Sequence, residues 1–163
     1  MQRHKIFIVG YFGYETNQLD GQTIKTRNIY ELLQKHCGEL SYYDTQRFRK
    51  NPLTIFTLLF NACRCDKLIL LPAQNNLSVI FPVLSILSAL LHFEIIHIAV
   101  GGWLDKYCDQ HRWVASRLKK NSVILVENKD VIASLQKNLG FNNVAYLHNY
   151  RLTDFKPNLS ETV

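Results

Sequence analysis

Four short apolar runs punctuate the chain: Lys5-Ile-Phe-Ile-Val9, Lys67-Leu-Ile-Leu-Leu71, Glu94-Ile-Ile-His-Ile-Ala-Val100 and Ser122-Val-Ile-Leu-Val126. None alternates strictly between polar and apolar positions. That pattern is expected of strands in a parallel sheet whose two faces are both covered by helices. Glu39 to Asp44 and Asn143 to Leu147 read as weaker strands, nearer the sheet edges. Between strands the spacing becomes helical. From about Gln22 to Cys37, the residues Ile29, Leu32, Leu33 and Cys37 fall at i, i+3, i+4 and i+8, one face of a helix. Asp20 or Thr23 can cap its start, and Gly38 is placed to end it. Asn128 opens a second helix that runs to Leu139 and stops at Gly140. Helices are also expected near Pro52 to Ala62, Asn76 to Leu91 and Leu104 to Leu118. Alternation of strand and helix predicts an α/β fold, a three-layer αβα Rossmann-like domain with a mainly parallel sheet of about six strands. The domain is expected over residues 1–150, with residues 151–163 as the start of a linker that includes Lys156-Pro157-Asn158.

Composition narrows the setting. With 163 residues and 47% hydrophobic content, the chain has the material for one core. Its formal net charge of +6 fits an anionic partner or serves solubility alone. The four cysteines form neither a CxxC pair nor a disulfide framework, and no histidine pair has metal-ligand spacing, so no bound metal is expected. A reducing cytoplasm is the simplest location. Leu77 to Leu91 is almost wholly apolar, but it is shorter than the roughly 20 residues of a spanning helix and contains Pro82. It reads as a buried helix, with contact to the inner face of an anionic membrane as the alternative. His97, inside an apolar strand, reads as a core residue.

Doubly wound sheets bind ligands at the carboxyl ends of their strands. That rule selects Gly10 to Gly21, Pro72 to Asn76, Gly101 to Trp103, Glu127-Asn128 and His148 to Arg151. Gly10, Gly13 and Gly21 are too widely spaced for a dinucleotide cradle, and no P-loop occurs. The loop they span is long for a strand-to-helix connection, as functional loops often are; the alternative is a surface loop with aromatic anchors. Lys25 and Arg27 crowd the first turn of the following helix, where the dipole already carries partial positive charge. Either an anion such as phosphate offsets them or they are solvated. If a phosphorylated ligand binds there, removing either charge is expected to weaken its binding by about 1–3 kcal/mol while leaving folding intact or slightly improved.

The run Asp20-Gly-Gln-Thr-Ile-Lys-Thr-Arg-Asn-Ile-Tyr-Glu-Leu-Leu33 after a glycine-bearing first strand resembles the opening of bacterial GT-B glycosyltransferases of polysaccharide assembly. Val100-Gly-Gly-Trp-Leu104, Val126-Glu-Asn128 and Tyr146-Leu-His-Asn149 agree with it. The resemblance implies the N-terminal, acceptor-side half of a hexosyltransferase. It implies a nucleotide-sugar donor held by a C-terminal domain not contained in this sequence, and no cofactor in this half. A saccharide or lipid-linked acceptor and an anionic membrane surface are the implied partners; nucleic acid is not. The implied substrate-binding set is Asn17, Gly21, Gln22, Thr23, Lys25, Arg27, Gly101, Gly102, Trp103, Glu127, Asn128, His148 and Asn149. Many relatives carry a histidine where this chain has Gly101-Gly102-Trp103, so no catalytic residue is assigned. Trp103 is placed either to stack on a sugar or to pack at a helix start. A flavodoxin-like binding or regulatory module and a small nucleotide-handling enzyme are the alternatives.

Overall fold

In the computed structural model, which describes residues 5–149, the apolar runs become strands covered on both faces. The expected linker lies outside the described residues. The strands are β1 (Lys5–Gly10), β2 (Glu39–Asp44), β3 (Lys67–Leu71), β4 (Glu94–Ala99), β5 (Ser122–Val126) and β6 (Val144–Tyr146). They form one sheet of order β2-β1-β3-β4-β5-β6, with every neighbouring pair parallel. The two weaker runs are its edges. Seven helices are found among the described residues: α1 (Gly21–His36), α2 (Gln46–Lys50), α3 (Thr54–Ala62), α4 (Gln74–Leu91), α5 (Leu104–Gln110), α6 (Arg112–Asn121) and α7 (Lys129–Leu139). The architecture is a three-layer Rossmann-like one.

Side-chain alternation explains the uniform apolar runs. Phe7, Val9, Leu68, Leu70, Ile95, Ile124 and Val126 face one layer, where they meet Leu58 of α3, Phe81 of α4, Tyr107 of α5, Leu118 of α6 and Leu135 of α7. Their neighbours Ile8, Ile69, Leu71 and Ile98 face the other layer, with Phe12 and with Ile29 of α1. The helices are therefore divided unevenly. One face of the sheet is packed by α1, the other by α3 to α7.

Local signals place the ends. Asp20 caps α1, its carboxylate accepting from the Thr23 N–H at 2.8 Å. Cys37, rather than Gly38, closes that helix, giving its N–H to the Leu33 carbonyl. Asn128 caps α7 by accepting from the Asp130 N–H, and Gly140 ends it in the left-handed region. The helix expected from Leu104 to Leu118 is two helices, broken at His111. There the His111 ring stacks on Tyr107, 4.2 Å between centroids, and its Nδ1 lies 3.1 Å from the Tyr107 carbonyl oxygen. The break lets α5 lie against α7 while α6 lies against α4. The short α2 is a further element that the apolar pattern did not predict.

Gly10 sets how closely α1 approaches the sheet. A Cβ at that position would lie 2.8 Å from Thr26 Cγ2 of α1 and 3.3 Å from Leu71 Cβ of β3. With only hydrogen there, the first turns of α1 come down beside the carboxyl ends of β1 and β3. Among the described residues no helix is long and apolar enough to cross a membrane.

Candidate functional site at the carboxyl edge

The connections after β1, β4, β5 and β6 meet above the carboxyl edge of the sheet, beside the first turns of α1. Lys25 is the centre of this region. Its ammonium pairs with the Glu127 carboxylate after β5 and donates to Asn149 Oδ1 at 3.3 Å after β6. Lys25 lies just past the first turn of α1, which itself contains no acid, so burial more than the helix dipole calls for a counter-charge. Glu127, distant in sequence, supplies the missing anion. Lys25 is only 5% exposed, so it is not the solvated surface charge considered from the sequence.

Around the pair lies an open cavity of about 240 Å³. Its polar lining is Lys25, Asn28, Glu127 and Asn149; Ile24 and Val100 supply apolar surface, and Gly21 and Gly101 leave room. Of the residues expected from the sequence, Gly21, Lys25, Gly101, Glu127 and Asn149 come together here. Ile24, Asn28 and Val100 complete the lining and were missed. A signal for two of them existed, because Gly21, Ile24, Lys25 and Asn28 recur at helical spacing on one face of α1.

The other expected residues do not line the cavity, and most of them have structural partners of their own. Arg27 donates from Nε to the Phe12 carbonyl at 2.8 Å and from Nη2 to the Gln18 carbonyl at 3.2 Å. Its guanidinium also lies 4.7 Å from the centroid of the Tyr14 ring. Arg27 thus fastens the loop after β1. Thr23 is buried, its hydroxyl directed to the Gln18 and Asp20 carbonyls, and Gln22 donates to the Leu71 carbonyl at 3.1 Å. Trp103 donates its indole N–H to the Val100 carbonyl at 2.8 Å and packs edge-on against Tyr107. Gly102 faces Asn128, the α7 cap, whose Nδ2 would lie 3.6 Å from a Cβ added there. Asn17 is an exposed residue with φ of 48° in the loop after β1, and His148 is exposed, edge-on to Tyr146.

That loop is further held from β2. Asp44 is buried and accepts from the N–H groups of Phe12 and Gln46, while Gln46 donates to Thr16 Oγ1 and to the Tyr11 hydroxyl. The anchors at Asp44 and Gln46 were not singled out from the sequence, since nothing local ties them to Phe12 or Tyr11. Because α1 begins at Gly21, Lys25 and Arg27 lie in its second turn and not in the first turn expected from the sequence; Asp20 caps the helix start, Lys25 is paired with Glu127 and Arg27 is bound to carbonyls. A phosphate is not needed to offset these cations. Among the described residues no group of three or more His, Cys, Asp or Glu side chains could hold a metal ion.

No protein family, curated protein or solved structure matches this chain. The cavity and its chemistry are therefore what bears on function.

Proposed function

We propose that this chain is the acceptor-side half of a nucleotide-sugar-dependent glycosyltransferase of the GT-B type, acting in cell-surface or capsular polysaccharide assembly. The observation that carries the reading is the convergence of Lys25, Asn28, Glu127 and Asn149 on one carboxyl-edge cavity. Carbohydrate hydroxyls donate to carboxylate and amide oxygens and accept from ammonium and amide N–H groups, so this set suits them. Ile24 and Val100 offer surface to the C–H face of a sugar ring. The Glu127 carboxylate in the lining and Asp20 over the first turn of α1 favour a neutral polyhydroxylated ligand over a phosphate. The acceptor therefore binds here, and the reading requires a second Rossmann-like domain to hold the nucleotide-sugar donor. Incubated with nucleotide sugars, the chain by itself is expected to transfer nothing.

One observation favours a second reading. The order β2-β1-β3-β4-β5 is that of flavodoxin-like modules, which bind ligands where β1 and β3 diverge. Against it, the loop at that point is closed on itself through Arg27, Gln18 and Gln46, and Asp20 occupies the helix start where a flavin phosphate would sit.

Titrating mono- and oligosaccharides into the chain, followed by NMR, separates the two. Asn28→Ala and Asn149→Ala are each expected to weaken saccharide binding by about tenfold, the loss of one or two hydrogen bonds. Saccharide affinity unchanged in both variants, or binding of flavin mononucleotide without saccharide binding, would overturn the proposal.

A further inference from the structure

Helices α3 and α4 cover one face of the sheet side by side, and neither contains a charged residue. Their inner residues, such as Leu58, Leu77, Phe81 and Leu84, are buried in the core. Their outer residues are also apolar. Phe56 and Phe60 of α3 and Val79, Val83, Ile86 and Leu90 of α4 are all exposed, Phe56 at 66% and Leu90 at 68%. Single exposed apolar residues are ordinary on a protein surface, but two adjacent helices that present such residues along their length are not. The layer continues to α6, where Trp113, 55% exposed, and Arg117 flank a groove whose other wall is Pro82 and Ile86. At the carboxyl edge a second cavity, about 460 Å³, opens between α2–α3 and α4 with an almost wholly apolar lining that includes Phe48, Ile55 and Val83.

Charge chooses the occupant. Arg47 and Arg64, before and after α3, and Arg117 and Lys120 of α6 are exposed around this face. Residues 46–93 contain a single acid, Asp66, and residues 110–126 contain none. A second copy docked through the same face would bring these cations against their own images, which is unfavourable. An anionic lipid surface complements them. Apolar side chains projecting from helices, a neighbouring Trp and flanking arginines are the composition of elements that lie in the plane of a bilayer interface.

We infer that the outer face of α3 and α4 docks the protein onto an anionic lipid bilayer, with Phe56, Val83 and Ile86 entering the headgroup–acyl boundary and Arg47, Arg64 and Arg117 meeting lipid phosphates. The helices then lie along the membrane surface and do not cross it. This docking does not depend on the saccharide reading, because α1 packs on the opposite face of the sheet.

Cosedimentation of the 163-residue chain with phosphatidylcholine vesicles, with and without phosphatidylglycerol, tests the inference. The chain is expected to bind the anionic vesicles at least about tenfold more tightly than the neutral ones. Phe56→Ser combined with Ile86→Ser should lower that binding by about tenfold or more, with folding preserved because both side chains are exposed. Arg64→Glu combined with Arg117→Glu should abolish the preference for anionic vesicles. That preference should also fade in about 1 M salt, where the screening length falls to about 3 Å. Equal sedimentation with both vesicles, or undiminished binding by the folded serine variant, would overturn the inference. So would a wild-type dimer that the serine substitutions dissociate, which assigns the face to a second copy.

Discussion

Removing the Lys25 ammonium leaves the Glu127 carboxylate, 18% exposed, without its counter-charge. Breaking a fully buried pair costs about 3–5 kcal/mol, and the partial exposure of Glu127 reduces that. Lys25→Met is therefore expected to destabilise the protein by about 1–3 kcal/mol, read from urea unfolding. Lys25→Met combined with Glu127→Leu should recover most of the loss. Wild-type stability in the single variant would mean the pair contributes nothing. From the sequence alone the expectation ran the other way, because the helix dipole was visible and the pairing of Lys25 with Glu127 was not. A second residue gives a pH dependence. His97 is fully buried, and loss of hydration pushes its pKa down to about 4, only partly opposed by the Leu70 backbone. The unfolded chain then binds a proton below about pH 6.5 that the folded chain refuses until about pH 4. Stability is whole above pH 6.5 and falls across that window, by a total of about 3 kcal/mol. His97→Leu should flatten this part of the stability–pH curve. A wild-type curve with no slope between those values would contradict the neutral, buried histidine.

At the scale of elements, caps and glycines carry much of what the sequence makes readable. Asp20 and Asn128 start helices where their side chains reach the first free N–H groups, and Gly140 ends one, all by local chemistry. Asp20→Ala should cost about 1 kcal/mol, mainly through α1. Gly10→Ala is a different test, since its added methyl meets Thr26, whose hydroxyl is itself held to the Gln22 carbonyl. A loss of about 1–3 kcal/mol is expected, together with weaker saccharide binding as α1 is pushed from the sheet. Unchanged stability in the alanine variant would show that α1 is not seated by this approach. The division of residues 104–118 into two helices was not legible. Leu104, Cys108, Val114 and Leu118 suit one helix or two, and only packing against α7 and α4 decides between them.

For the whole molecule, the parallel sheet was readable because its central strands are largely buried on both faces and thus mostly apolar. Its edges were readable because their apolar runs are weaker. The cavity was half legible. The rule that ligands sit at carboxyl ends selected loops that meet around this cavity, and Lys25, Glu127 and Asn149 were all in the expected set. Their mutual pairing joins residues more than a hundred positions apart, and no local pattern encodes it. Nor could the sequence tell that Arg27 and Trp103 are occupied by loop carbonyls. On the proposed function, this carboxyl-edge cavity takes a saccharide acceptor while the donor is held elsewhere. Backbone amide NMR spectra of the chain, titrated in parallel with acceptor-type saccharides and with nucleotide sugars, test it most directly. Saccharide-induced shifts are expected to concentrate at Gly21, Ile24, Lys25, Asn28, Val100, Gly101, Glu127 and Asn149, with no saturable shifts from the nucleotide portion of the donors. Saturable nucleotide binding at these residues, or saccharide shifts confined to another surface, would contradict the proposal.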